Sequence, residues 1–137
     1  MKTYTVKSSA HRAAKQAGFE KDQYEIVEVD AHLLDDAEIG IVAYGISART
    51  SIAAVKRLRA KGVKAGLLRL KTLWPFPERE IAKLGERVRA IVVPELNKGM
   101  IAGVVRGCTK ATVHSITQTN GKTIDPSRVV RFVEEMS

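Results

Sequence analysis

The sequence predicts a three-layer α/β fold in which helices cover both faces of a mainly parallel β-sheet. Short apolar runs that suit buried strands alternate along the chain with segments whose apolar residues recur at helical spacing. Glycine, proline and asparagine mark the turns between them. The 137 residues, 45% of them hydrophobic, suit one domain with one core. The repeated strand–helix order implies right-handed crossovers between parallel strands.

The first strand–helix unit begins with residues 39–44, a continuous apolar run typical of a buried parallel strand. Gly45 then turns the chain. We expect Ser47 to cap the helix that follows, because its hydroxyl can accept a hydrogen bond from a free backbone N–H at the helix start. Apolar residues at helical spacing continue that helix until Gly62, which is a typical stop.

The second and third units are predicted in the same way. Residues 63–70 form the second strand, and Pro77 suits the first turn of a helix that runs through Leu84. The third strand is predicted over residues 88–93, where we expect Pro94 to end it because proline cannot donate to a strand ladder.

The last elements are a short helix over residues 100–106, a strand over residues 111–117 and a C-terminal helix over residues 126–135. Asp125 is the expected cap of that last helix, and Pro126 suits its first position.

Residues 1–35 are predicted to lie outside the compact domain. They read as a polar N-terminal arm, in which residues 11–16 turn helical, followed by an acidic connector. Residues 24–29 suit either a short edge strand or part of that connector. The α/β domain is therefore predicted to span residues 36–137.

The net charge of +8 raises the question of nucleic-acid binding, because clustered cations neutralise phosphates. Residues 45–71 contain eight basic side chains and no acidic one, whereas residues 20–38 contain eight carboxylates and one lysine. We interpret this as a solvated helix face beside an acidic connector. No zinc finger or aromatic RNA-binding motif favours a nucleic-acid binder, which stays an alternative.

The sequence offers little material for metal or redox chemistry. Cys108 is the single cysteine and cannot form a disulfide within the chain, and the three histidines lack metal-ligand spacing. No apolar run approaches the roughly 20 residues of a membrane-spanning helix, and the N-terminus lacks the apolar core of a secretion signal. We expect a cytoplasmic protein with no catalytic residue, no metal site and no cofactor bound by this chain alone.

The start of the first predicted helix is a candidate anion site. Free backbone amides, the positive end of the helix dipole and the Arg49 guanidinium could together hold a phosphate or carboxylate. The segment also approaches the hydrolase pattern G-x-S-x-G, but Arg49 stands where the second glycine is needed, so a nucleophilic serine is not predicted. The candidate anion-binding residues are Gly45, Ser47 and Arg49.

Two loops that follow predicted parallel strands form a candidate interface. Both should emerge at the carboxyl edge of the sheet, where ligands and partners bind in such folds. Aromatic side chains on a proline-stiffened loop suit a partner surface or packing on their own core, and polar residues after the third strand suit turn-stabilising hydrogen bonds. The candidate interface residues are Trp74, Pro75, Phe76, Pro77, Glu95, Asn97, Gly99 and Met100.

Three ordered blocks, residues 35–49, 66–78 and 92–97, resemble the transketolase-type C-terminal domain of 2-oxoacid:ferredoxin oxidoreductase α subunits. The resemblance covers the chain from about Asp35 onward. Trp74-Pro75-Phe76-Pro77 is similar to the version in 2-oxoglutarate and branched-chain 2-oxoacid enzymes, whereas pyruvate enzymes tend to have arginine before Pro-Phe-Pro. The chain departs from the family at residues 98–100, where a small or apolar residue and then Gly-Gln are common.

The resemblance implies a complex that decarboxylates a 2-oxoacid on thiamine diphosphate and magnesium, passes electrons through iron–sulfur clusters to ferredoxin, and releases acyl-CoA. It implies a non-catalytic assembly domain, with 2-oxoglutarate favoured as the substrate of the complex and a thiamine diphosphate-binding β subunit among the partners. A homodimer of this chain stays open. The alternative functions are a stand-alone anion- or ligand-binding regulatory domain and a nucleic-acid binder.

Overall fold

The computed structural model describes residues 2–6 and 27–136, with side chains described from residue 27 onward. In chain order the elements are β1 Lys2–Val6, β2 Val27–His32, β3 Ile39–Tyr44, α1 Ile46–Ala60, β4 Ala65–Leu70, α2 Glu78–Arg87, β5 Ala90–Glu95, α3 Met100–Cys108, β6 Thr112–Thr117 and α4 Pro126–Met136. The alternation of strand and helix predicted after residue 39 is confirmed.

The strands form one six-stranded sheet in the order β1-β2-β4-β3-β5-β6. Strands β4, β3, β5 and β6 run parallel to one another, while β2 is antiparallel to both of its neighbours. The chain moves from β3 to β4 on one side and then returns to place β5 on the other side of β3. The topological switch point therefore lies between β3 and β5. In many doubly wound folds, ligands bind in the crevice just beyond the carboxyl ends of the two strands at this point.

Helices cover both faces of the sheet, which confirms the predicted three-layer architecture. On one face α2 and α3 bury side chains such as Leu84 and Val105 against the strands. On the other face α1 and α4 do the same with side chains such as Leu58 and Val133. Each fully buried large aliphatic side chain contributes roughly 2 kcal/mol, so these two layers hold the central strands in place.

The N-terminal part of the chain contributes more to the sheet than the sequence predicted. Residues 27–32 form β2 between β1 and β4 instead of a connector or an edge strand, and Val27 and Val29 are fully buried. Lys2–Val6 pairs with β2 along five positions, although we expected an arm there. The sheet thus begins before residue 36, because pairing with β2 supplies hydrogen bonds to a segment that has few apolar residues. The helical turn predicted over residues 11–16 lies outside the described residues.

The sequence predicted that Pro94 ends its strand, and this prediction is wrong. It lies inside β5, opposite Ile116 of β6. The pairing of β5 with β3 covers only Ala90 to Val92, so β3 does not require a backbone N–H donor at position 94. A proline, which lacks that donor, is therefore tolerated there. The predicted cap of the last helix is confirmed, since the Asp125 carboxylate accepts a 2.8 Å hydrogen bond from the Ser127 backbone N–H.

Candidate interaction site at the carboxyl edge of the sheet

The parallel strands end level with one another and bring their following loops to one edge. Tyr44 at the end of β3 lies opposite Leu70 at the end of β4, and Glu95 at the end of β5 lies opposite Thr117 of β6. Neighbouring strands lie about 4.8 Å apart. The loops after β3, β4 and β5 are therefore neighbours, as the sequence predicted.

Glu95 is a buried carboxylate that caps helix α3. The residue is fully buried, its Oε1 accepts a 2.7 Å hydrogen bond from the Ile101 N–H, and its Oε2 accepts a 3.0 Å bond from the Ala102 N–H. The first turn of a helix has free N–H groups and a positive dipole end, both of which favour a carboxylate. The turn-stabilising role predicted for Glu95 is confirmed, and each of its two carboxylate oxygens already accepts a hydrogen bond from its own chain.

Asn97 joins the loop after β5 to the end of β3. Its side-chain Nδ2 donates a 2.7 Å hydrogen bond to the Tyr44 hydroxyl oxygen. Its Oδ1 accepts hydrogen bonds from the backbone N–H groups of Gly99 and Met100, at 2.8 and 2.9 Å. Gly99 has a φ of 93°, in the left-handed region that favours glycine. Asn97 therefore stabilises the turn, as predicted, and also bridges the switch point.

The two aromatic side chains of the loop after β4 have opposite surroundings. Phe76 is buried in the core on the α2 and α3 face, whereas Trp74 is 70% exposed. The Trp74–Pro75 peptide bond is cis, and Pro77 is the residue immediately before α2. Of the alternatives left open by the sequence, core packing holds for Phe76 and exposure on a surface holds for Trp74.

Further large apolar side chains are exposed at this edge. Met100 is 63% exposed, Ile46 is 51% exposed and Leu96 is 36% exposed. Ile46 and Leu96 lie within the segments that the sequence predicted at this edge, but they were not singled out as interface residues. The signal that could have found them is position, because each lies just beyond the end of a buried parallel strand, where the apolar run leaves the core.

The candidate anion site differs in detail from its prediction. Gly45, with φ 57° and ψ −139°, is the residue that precedes α1, so Ser47 lies inside the first turn and is not the cap. A left-handed backbone angle suits the glycine better than it would suit a serine. Ser47 is buried and Arg49 is exposed. Anion binding by Gly45, Ser47 and Arg49 stays a prediction.

The basic stretch over residues 45–71 is partly neutralised by the chain itself. The Arg59 guanidinium binds both carboxylate oxygens of Asp36 at 2.8 and 3.0 Å. Lys61 pairs with Glu134 and Lys71 with Glu28. Arg49, together with Lys98 of the loop after β5, is among the basic residues that form no ion pair with another residue of the described part of the chain, and both flank the carboxyl edge.

Tyr44 and Cys108 both have a raised pKa, which favours their neutral forms. Burial, reinforced by the charge of Glu95, raises the pKa of Tyr44, while the hydrogen bond from Asn97 opposes this rise. Burial and the charge of Glu78 raise the pKa of the Cys108 thiol, whose Sγ donates to the Val104 carbonyl oxygen. A thiol with a raised pKa is a poor nucleophile and metal ligand.

Membrane-spanning helices and metal-binding clusters are both absent from the described residues. No helix among residues 27–136 is long and apolar enough to cross a bilayer. No group of three or more histidine, cysteine, aspartate or glutamate side chains in the described segments is placed to hold a metal ion.

Comparisons with known proteins agree with the geometry. The family model of pyruvate:ferredoxin oxidoreductase core domain II matches residues 37–129. The chain is 39% identical over 115 residues to the 2-oxoglutarate synthase subunit KorA of Methanocaldococcus jannaschii, covering 82% of this chain and 31% of that one. It is 35% identical over 114 residues to the ketoisovalerate oxidoreductase subunit VorB of Methanothermobacter thermautotrophicus, covering 81% and 32%. The chain thus spans about a third of the length of these curated relatives.

Solved structures show the same fold. A 2-oxoglutarate:ferredoxin oxidoreductase from Magnetococcus marinus superposes with a TM-score of 0.72 at 28% identity, covering 93% of this chain and 23% of that one. A split-gene transketolase superposes with a TM-score of 0.66 at 20% identity, covering 77% and 40%. The second likeness is one of fold alone.

Proposed function

Because the chain belongs to the pyruvate:ferredoxin oxidoreductase core domain II family, we propose that it is the core-domain-II part of a 2-oxoacid:ferredoxin oxidoreductase α subunit. The observation that carries this proposal is the family match over residues 37–129 in a chain about a third as long as its relatives. The complete enzyme oxidatively decarboxylates a 2-oxoacid to acyl-CoA and reduces ferredoxin. The remaining two thirds of the α subunit and a β subunit are its partners.

The role proposed for this chain is assembly. Its two polar groups at the switch point, Glu95 and Asn97, are engaged with their own backbone and with Tyr44. One cysteine cannot supply the cysteine sets that iron–sulfur clusters use. We therefore assign the iron–sulfur clusters to other parts of the complex. Thiamine diphosphate, magnesium and coenzyme A are the further cofactors that we expect in the full complex.

The substrate proposed for the complex is 2-oxoglutarate. This choice is supported by the names of the 2-oxoglutarate synthase subunits and of the Magnetococcus marinus enzyme among the similar proteins. A branched-chain 2-oxoacid is the alternative that the ketoisovalerate oxidoreductase relatives favour.

Activity measurements can test this proposal. The companion subunits of the same organism's oxidoreductase would be purified without this chain and assayed for substrate-dependent ferredoxin reduction, with thiamine diphosphate, magnesium and coenzyme A present. Adding the chain should raise the rate with 2-oxoglutarate more than with 3-methyl-2-oxobutanoate or pyruvate. A higher rate with one of the other two acids would overturn the substrate, and no change with any of them would overturn the function.

A further inference from the structure

Exposed large apolar side chains are concentrated at one edge of the sheet. Five such residues occur in the described part of the chain, and four of them, Ile46, Trp74, Leu96 and Met100, follow the ends of β3, β4 and β5. The fifth, Leu33, lies at the opposite edge, after the antiparallel strand β2. Because β4, β3 and β5 are adjacent in the sheet, the four residues belong to neighbouring loops. We call these four residues the edge patch.

The backbone beneath the edge patch is held in place. Phe76, two residues after Trp74, is buried in the core. Asn97 and Glu95 accept four hydrogen bonds from the backbone N–H groups of residues 99–102, which hold the turn and the helix start that carry Met100. A surface that is ordered before binding loses less conformational entropy when a partner immobilises it. The backbone close to Trp74 and Met100 is therefore anchored before a partner binds.

The surroundings of the switch point, which lies among the loops that carry the edge patch, suit a protein partner better than a small molecule. The hydrogen bond between Asn97 and Tyr44 spans the gap between β3 and β5, where a small ligand would otherwise enter. Large apolar side chains are exposed after the ends of β3 and β5, and the exposed cations Arg49 and Lys98 in the same segments form no ion pair with another described residue. An apolar centre with a charged rim is the usual composition of a protein interface.

We propose that the edge patch is the docking surface for the part of the α subunit that lies outside core domain II, which presents an apolar surface with an acidic rim. This inference rests on the proposed function. The relatives are about three times as long as the region they share with this chain, so their remaining sequence offers a large surface against which this domain can pack. The unneutralised cations Arg49 and Lys98 supply the charge that an acidic rim would complement.

Binding measurements on matched variants test the docking surface. The companion subunits of the same organism's oxidoreductase, purified without this chain, would be titrated with the wild-type chain, with Trp74→Ala, with Met100→Ala and with Leu33→Ala. We expect Trp74→Ala to raise Kd at least tenfold, and Met100→Ala several-fold. Leu33→Ala, a matched exposed apolar residue at the other edge, should change Kd less than twofold.

A second measurement does not depend on how the variants fold. A photo-reactive benzoylphenylalanine at position 100 should cross-link to the companion subunits, whereas the same residue at position 33 should not. Equal Kd values for wild type, Trp74→Ala and Met100→Ala, or equal cross-linking from positions 100 and 33, would overturn the docking surface and leave the proposed function standing. A wild-type chain that binds no companion subunit would overturn both. Self-association of the chain that Trp74→Ala abolishes would assign the edge patch to a second copy instead.

Discussion

The side-chain amide of Asn97 donates a 2.7 Å hydrogen bond to the hydroxyl oxygen of Tyr44 and so ties the loop after β5 to the end of β3. These residues are 53 positions apart in the chain. Asn97 also accepts from two backbone N–H groups of its own turn. One side chain therefore fixes both the shape of the loop and its position over the neighbouring strand.

A double-mutant cycle should detect this bond between Tyr44 and Asn97. Tyr44→Phe removes the acceptor, and Asn97→Ala removes the donor without supplying a new acceptor for the hydroxyl. The turn bonds that Asn97→Ala also loses cancel in the cycle, because they are lost in both backgrounds. We expect a coupling of about 1 kcal/mol in the free energy of unfolding, the usual net value of such a bond. Urea unfolding of the wild type, both single variants and the double variant measures it. Strictly additive losses would mean that the two side chains do not interact.

Replacing Glu95 by alanine should lower the free energy of unfolding more than replacing it by glutamine. Glu95→Ala leaves the N–H groups of Ile101 and Ala102 without acceptors in a buried position, which costs about 1 to 3 kcal/mol per unsatisfied group. Glu95→Gln keeps one oxygen and loses the charge that favours the helix start, so its loss should be smaller. Chemical unfolding gives the ranking of wild type, Gln and Ala. An alanine variant as stable as the wild type would contradict the capping role.

Two helical glycines should respond oppositely to alanine. A Cβ added at Gly85 in α2 would collide with the side chain of Thr109, whereas one added at Gly103 in α3 would meet nothing within 4 Å. Gly85→Ala should therefore destabilise the protein by about 1 to 3 kcal/mol through overpacking. Gly103→Ala should stabilise it by up to about 1 kcal/mol through helix propensity. Thermal unfolding of both variants checks the contrast, and a shift of the same sign in both would refute it.

The ion pair between Arg59 and Asp36 should make stability depend on acid pH. The hydrogen bonds from Arg59 hold the pKa of Asp36 below its ordinary value of 3.8. A carboxyl whose pKa is lowered on folding contributes stability that is present above the ordinary pKa and is lost as pH falls through the lowered one. Asp36→Asn should therefore flatten the acid part of the stability curve while leaving its slope near neutral pH unchanged. An identical acid slope in both proteins would show that the pair contributes nothing.

The central strand–helix units were predictable because their signals are local. Residues 39–44 form an uninterrupted apolar run, and such a run next to a helical pattern leaves little choice of fold. The position of Asp125 before Pro126 likewise marked a helix start in the sequence. The shared edge of the loops after β4 and β5 was predictable for the same reason, since loops after parallel strands share one edge, while the interface itself stays a prediction.

The features missed by the sequence reasoning depend on contacts between distant segments. Lys2–Val6 joins the sheet through pairing with β2, which no periodicity within five residues can reveal. The basic stretch contained no sign that Arg59 pairs with Asp36, because 23 residues and a strand separate them. Trp74 and Phe76 have the same local pattern and opposite burial, which depends on how the loop lies over α2 and the sheet.

Sedimentation velocity of this chain mixed with the companion subunits of the same organism's oxidoreductase tests the central claim most directly. If this chain is an assembly domain of that enzyme, its sedimentation coefficient should increase from that of the free chain to that of a stoichiometric complex. The complex should contain one copy of this chain for each thiamine diphosphate-binding β subunit. Unchanged sedimentation of the chain and of the companion subunits at concentrations well above those of a stable complex would contradict the account.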